Sequence, residues 1–301
     1  MTVVDLDTHR REKIGGSEAA SACGVDPWRS RIMLWAEKTG RIERPATEAM
    51  MWGSILEPVV FKFLEATDWD VFPAPAVEWM HAENSWMTGH VDGFVELGGL
   101  RGVLEIKTAN AFASHDWSSD SGAPLPYLVQ VHHYMALTGL DVALLACLVG
   151  GQRLELRTVY RDEAVIESMM EREQELLRYI RTDTPPPPDG SASAKDAIRA
   201  LHPAANGKTM RLSRKGWENV LALRERKEQL EIVKRQAAEL QQALELEMGD
   251  AEKAVSPFDT PAARWPTVQS TRLDSKALKA ARPDVHSEFA VATSTRRFTL
   301  E

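Results

Sequence analysis

The segment Thr88–Asn110, TGHVDGFVELGGLRGVLEIKTAN, limits the fold more than any other part of the chain. Two β-type runs, Met87–Leu97 and Val103–Thr108, flank a stretch that holds Gly98, Gly99 and Gly102. Glycine enters left-handed backbone conformations without steric cost, so this pattern specifies a hairpin. Side chains alternate faces along a strand, which puts Glu105 and Lys107 on one side and Ile106 on the other, toward a core. Asp92 lies 13 residues before Glu105, a separation at which a hairpin brings the two carboxylates together. Two carboxylates and a backbone carbonyl, that of Ile106, form a hard oxygen site suited to Mg2+ or Mn2+. The Lys107 ammonium beside them could orient an attacking water or offset charge on a pentavalent phosphate, and together these are the parts needed for metal-assisted phosphodiester hydrolysis. By itself the pattern has bland readings as well: Glu-x-Lys is also a common cross-strand ion pair, and Asp-Gly is also a common turn.

The flanking segments read as alternating helices and strands, which is an α/β pattern. Residues 8–22 open with a basic cluster, then Gly15-Gly16-Ser17 leads into a small-residue helix with Ser17 at the N-cap position and Glu18 in the first turn. A helix over 30–40 ends at Gly40, and Ile55, Val59, Val60, Phe63 and Leu64 predict a helix over 50–66 with one wide buried face. Short strands are expected at Trp69–Phe72 and Val77–Met80, a helix at 125–138, a buried strand at 141–149, an edge strand at 153–160 and an amphipathic helix at 162–181. Pro185 to Pro188 then interrupt the chain, since four prolines cannot continue a helix. The expected organisation is a core over 1–185, a proline-containing linker over 186–210 and a helical, basic region over 211–301. In the last of these, Leu230, Val233, Ala237, Leu240 and Leu244 follow heptad spacing. A coiled coil and a helix packed back on its own domain both fit that spacing.

Charge is distributed unevenly. Residues 1–190 carry 17 Lys and Arg against 29 Asp and Glu, whereas residues 191–301 carry 19 against 15. The acidic first part lacks the usual basic footprint of a DNA-binding protein. A metal site does require clustered carboxylates, however, and the basic second part could supply phosphate contacts. The N-terminus is polar and there is no run of 18 apolar residues, so neither a secretory signal nor a membrane span is expected and the location reads as cytoplasmic. Cys23 and Cys147 read as reduced core residues.

Six short motifs occur in order: Arg10 with Ile14-Gly15-Gly16-Ser17-Glu18, Leu34 to Gly40, Gly53-x-x-x-Glu57, Asp92-Gly93, Glu105-x-Lys107 and Gln130-Val131-His132-His133-Tyr134-Met135. Over residues 8–185 this set resembles the YqaJ-type viral recombinases, relatives of the lambda exonuclease in the PD-(D/E)XK nuclease superfamily. The ending, Ser270 to Leu278 and Arg296-Arg297-Phe298, is similar to the tails of some phage members. The resemblance implies a restriction-endonuclease-like core, a mixed central sheet flanked by helices, with a helical C-terminal extension. It also implies that Asp92 and Glu105 bind the catalytic metal, Lys107 assists the water, Glu57 helps to hold a second metal and Gln130 positions the water or Lys107. Arg10 and Ser17 would bind a 5′-terminal phosphate, a role consistent with the amides of a helix start. Val91 stands where the superfamily pattern has proline, and His90, two before Asp92, is a candidate for substrate contact. Glu83 is a candidate further acid.

The expected activity is therefore Mg2+-dependent DNA cleavage, with Mn2+ able to substitute. The resemblance adds 5′-to-3′ polarity on double-stranded ends, a RecT- or beta-like single-strand annealing protein as partner, and a ring-shaped trimer. Two rivals stand beside it: a structure-selective endonuclease of the same fold, and a binding module that has lost catalysis. Of the tryptophans at 28, 35, 52, 69, 79, 86 and 117, Trp86 and Trp117 are the candidates for a strand-splitting wedge, while the others read mainly as core or rim aromatics. His132, His133 and Tyr134 read as packing residues rather than metal ligands.

Overall fold

The computed structural model describes residues 11–67, 69–112, 117, 122–292 and 294–301. The chain divides into two compact units, Met1–His202 and Pro203–Glu301. In the first, β1 (Ile14–Gly15) leads into α1 (Gly16–Cys23), followed by α2 (Arg31–Lys38) and α3 (Glu48–Ala66). Then come β2 (Val71–Pro73), β3 (Trp79–Met80), β4 (Met87–Gly89), β5 (Gly93–Leu97) and β6 (Leu100–Ala109). Helix α4 (Leu125–Thr138), strands β7 (Val142–Val149) and β8 (Arg153–Tyr160), and helices α5 (Glu163–Arg181) and α6 (Ala192–Leu201) complete the unit.

The main sheet has the order β2-β5-β6-β7-β8, and it is mixed because β6 and β7 run parallel. A parallel pair needs a crossover, and α4 lies on it. The expected hairpin is β5–β6, turning at Gly98 and Gly99, whose φ values of 57° and 83° fit the primed turn that tight hairpins favour. The first run does not form a single strand. Met87–Gly89 pairs instead with β1 and β3 in a separate three-stranded sheet, which leaves His90, Val91 and Asp92 at the crossing between the sheets. Alternation along β6 divides the core. Leu104 and Ile106 pack with Val60 and Leu64 of α3, whereas Val103 packs with α4, α1 and α5.

Three expectations are corrected. Helix α1 begins at Gly16, with Gly15 as N-cap and the Glu18 carboxylate accepting the Gly15 N–H at 2.9 Å, so Ser17 is an exposed first-turn residue rather than the cap. Helix α3 forms, but only Val60 and Leu64 of its apolar set are buried, while Ile55, Val59 and Phe63 are all more than half exposed. A helix lying on a sheet covers only a narrow strip, and this sequence carries a second apolar stripe, Met51-Ile55-Val59-Phe63, on the outer face. Finally, the stretch 186–210 is not all linker. Helix α6 lies within it, with Ala194 and Ala197 buried against α2 and α5, and Ser193 Oγ accepting from the Ser30 N–H at 2.9 Å.

In the second unit, α7 (Arg214–Met248) is 35 residues long and has no buried residue, so the heptad positions Leu230, Val233, Leu240 and Leu244 are exposed. A short hairpin of β9 (Lys253–Val255) and β10 (Pro261–Arg264), then α8 (Ser275–Ala281) and α9 (Pro283–Phe289), follow. No helix among the described residues is long and apolar enough to cross a membrane.

Candidate active site

Strand register builds the site. Gly93 pairs with Leu104, the last pair of the β5–β6 ladder, so the next antiparallel position would put Asp92 opposite Glu105. Past that point β6 is bonded to β7 alone, and Asp92 Oδ2 takes the place of a ladder acceptor by receiving the Ile106 N–H at 2.7 Å. The N–H and C=O of one strand residue point to the same edge, so the Ile106 carbonyl is directed toward Asp92 as well.

Glu105 is 1% exposed. Its Oε1 accepts from Gln130 Nε2 at 2.7 Å and from Lys107 Nζ. Its Oε2 is buried and has no hydrogen-bond partner. Gln130 Nε2 also reaches the Tyr134 hydroxyl at 3.2 Å. Tyr134 occupies a slot that only glycine leaves open: a Cβ on Gly16 would lie 2.3 Å from the ring, and one on Gly89 2.7 Å. The first turn of α1, strand β4 and the carboxylate cluster thus meet around one phenol.

The electrostatics are those of crowded, dry carboxylates. Burial raises the Asp92 carboxyl, partly opposed by Lys107 and by the Ile106 N–H. Burial raises Glu57 on α3, and the Asp92 charge raises it further. Burial pushes Glu105 up to about 8, with Lys107 opposing and Asp92 adding. Burial works against the Lys107 charge, but the Glu105 and Asp92 carboxylates outweigh it and hold its pKa above the ordinary lysine value.

This donor set fits a divalent cation. The unpartnered Glu105 Oε2, the Asp92 carboxylate and the Ile106 carbonyl are hard oxygen donors, and a cation would stabilise the charged carboxylates against the burial that raises all three carboxyls and the Asp92 charge that further raises Glu57 and Glu105. Among the described residues no three His, Cys, Asp or Glu side chains form a complete cage.

The remaining sequence candidates fall elsewhere. Arg10 lies outside the described residues. Ser17 is exposed on the first turn of α1, where its carbonyl accepts from Arg29 Nη2 at 2.8 Å. His90 is exposed just past β4, near Glu78. Glu83 is exposed in the turn before β4 and has no part in the cluster's hydrogen bonds. Trp117 is 1% exposed, and Trp86 packs against two core clusters. Trp117 is therefore a core residue and cannot be a wedge. His133 is fully buried, bonded to Glu173 and to the Thr88 carbonyl, and His132 Nδ1 lies 2.8 Å from the Leu128 carbonyl. Both histidines are structural. Cys23 and Cys147 are free, and burial pushes both thiols up to about 12. Tyr134 went unread as a site residue, although its i+4 spacing from Gln130 puts both on one helix face.

Residues 7–141 match the family described as the YqaJ-like viral recombinase domain, a span that contains Asp92, Glu105, Lys107 and Gln130. Over 298 residues the chain is 30% identical to the protein YqaJ of Bacillus subtilis (strain 168), covering 97% of this chain and 92% of that one. The chain belongs to the YqaJ-like viral recombinase family. Its mixed sheet flanked by helices, with Asp92 just before β5 and Glu105-x-Lys107 on β6, agrees with the α/β core expected from the sequence. Among solved structures the chain is similar to the alkaline exonuclease LHK-Exo from Laribacter hongkongensis, at 20% identity over 58% of this chain and 91% of that one, with a TM-score of 0.48. It is also similar to a phage related exonuclease from Haemophilus somnus 129PT, at 17% identity over 56% and 94%, with a TM-score of 0.45.

Proposed function

We propose that the protein is a Mg2+-dependent deoxyribonuclease that digests double-stranded DNA ends 5′ to 3′ and supplies single strands for recombination by annealing. The observation that carries this reading is Glu105: buried, fixed at one oxygen by Lys107 and Gln130, and unpartnered at the other. Asp92, Glu105 and the Ile106 carbonyl would hold the cation, Glu57 would help with a second, and Mn2+ could substitute. A bound divalent cation supplies Lewis-acid stabilisation of charge on the phosphate oxygens and lowers the pKa of the attacking water. Lys107 orients that water and offsets the developing negative charge. Gln130 fixes the Glu105 carboxylate, and Tyr134 fixes Gln130. Arg10, Ser17 and His90 are assigned to the 5′ phosphate and the adjoining DNA.

A RecT- or beta-like single-strand annealing protein would receive the product strand. Homo-oligomer formation, a trimer by resemblance, is supported by the exposed Met51-Ile55-Val59-Phe63 stripe, since apolar faces of this kind mark interfaces. The test is digestion of a 5′-phosphorylated linear duplex beside a closed circle, with Mg2+, for wild type and Lys107→Ala. Nucleotide release from the linear DNA alone, abolished in the variant, is expected. Cutting of the circle would replace the exonuclease with an endonuclease, and no cleavage of either DNA would leave a binding module.

A further inference from the structure

One tryptophan stands apart from the core aromatics. Trp28 is 60% exposed, on the loop between α1 and α2, yet it is not loose. Its ring stacks on Tyr127 with centroids 6.3 Å apart and planes at 28°, and Tyr127 stacks on the buried Trp117 at 5.7 Å and 25°. The backbone beneath it is fixed as firmly. Asp26 Oδ1 accepts the Trp28 N–H at 2.8 Å and the Arg29 N–H at 3.2 Å, while Asp26 Oδ2 accepts from Ser21 Oγ at 2.6 Å. Arg29 Nε donates to Ser21 Oγ at 2.8 Å, and Arg29 Nη2 donates to the Ser17 carbonyl on the first turn of α1. A mostly exposed ring that its neighbours already hold in place is arranged to meet a ligand with little further ordering.

Its location says which ligand. The Lys107 ammonium lies 5.7 Å from the Tyr127 ring centroid, so the two distances place Trp28 no more than 12 Å from it. At about 3.4 Å per nucleotide step, that is within roughly four nucleotides of the phosphate that Lys107 would serve. Nucleobases stack on aromatic faces whatever their sequence, as an end-processing enzyme requires. We propose that Trp28, backed by Tyr127 and Trp117, is a stacking platform for a nucleobase of the DNA end. The proposal rests on the nuclease reading above.

The test is equilibrium binding of a 5′-phosphorylated duplex in EDTA, where no cleavage occurs, with 2-aminopurine placed singly at each of the first several positions from each end. Wild type is expected to quench the probe at one position. Trp28→Leu should lose that quenching and bind roughly ten- to a hundredfold more weakly, whereas Trp28→Phe should retain most of both. An abasic nucleotide at the quenched position should weaken binding to the unaltered protein by a similar factor, a check that does not depend on any variant folding. If Trp28→Leu melts, binds and quenches like wild type, or if the abasic duplex binds as well as the intact one, the platform is refuted while cleavage still stands. If wild type neither binds DNA ends in EDTA nor cleaves them with Mg2+, the nuclease reading falls together with it.

Discussion

Glu105→Gln separates the chemistry of the site from its cost to the fold. The Glu105 carboxyl is held near 8 in the folded chain, against an ordinary 4.5. A folded pKa raised above the unfolded one means that the group's stabilising contribution is complete below the unfolded value and is lost as pH rises toward 8. Each tenfold step in proton affinity is worth about 1.4 kcal/mol, so the metal-free protein should lose roughly 3 kcal/mol through this one group between pH 5 and pH 8. Glutamine has no proton to give up and keeps the shape of the side chain, so the variant should be spared this loss. The assay is urea unfolding in EDTA at pH 5, 6.5 and 8, followed by tryptophan fluorescence. Seven of the nine tryptophans precede His202, so the signal reports mainly the first unit. The variant should be close to wild type at pH 5 and roughly 3 kcal/mol more stable at pH 8, while cleaving no DNA. Mg2+ or Mn2+ at pH 8 should raise wild type alone, because the cation binds the deprotonated carboxylate. Parallel pH curves for the two proteins would refute the assignment of Glu105 as a buried, protonated acid awaiting a cation.

Two further perturbations follow from packing. Burial opposes the His133 charge, but Glu173 outweighs it and raises the histidine pKa; both side chains are fully buried, with 2.8 Å between them. Glu173→Gln should cost about 3 kcal/mol below pH 6 and less as pH rises and the imidazole becomes neutral, as urea unfolding across that range would show; a cost independent of pH would exclude the charged pair. Gly16→Ala would put a methyl 2.3 Å from the Tyr134 ring. It should lower stability by about 1–3 kcal/mol and reduce cleavage together with it, and a variant that melts and cleaves like wild type would show that Tyr134 does not fix Gln130.

The cluster was legible because it depends on period and register alone. Period two places Glu105 and Lys107 on one face, and a turn centred on Gly98 and Gly99 carries the pairing back until Asp92 meets Glu105. Helical spacing alone would also have placed Tyr134 beside Gln130. The errors have one physical origin: a pattern states which residues are apolar, not which neighbour will cover them. Helix α3 has two apolar stripes, and the sheet takes only the one bearing Val60 and Leu64. Trp117, a wedge candidate by sequence, is buried and stacks on Tyr127, whereas Trp28, two rings away, stays mostly in water. Helix α6 was missed because the prolines before it read as the end of the domain, although Ser191 caps a new helix three residues after the last of them.

The same distinction bears on what the site does. Both contacts that fix Glu105 come from elements the sequence assigns by pattern, Lys107 by strand alternation and Gln130 by the helix after Pro124, and register brings Asp92 beside them. The contacts that connect this cluster to the surface follow no period. Arg29 joins the Trp28 loop to Ser17, and Tyr134 fits between Gly16 and Gly89 because both lack a side chain. On the proposed reading the cleavage chemistry would be built from regular structure, while the features that would receive a DNA end depend on irregular loops and close backbone approach. Substitutions in the loop at 24–30 should therefore change how the end is bound and leave the Glu105 environment intact. Substitutions at Gly16 or Gly89 should disturb both at once, because Tyr134 is where the two meet.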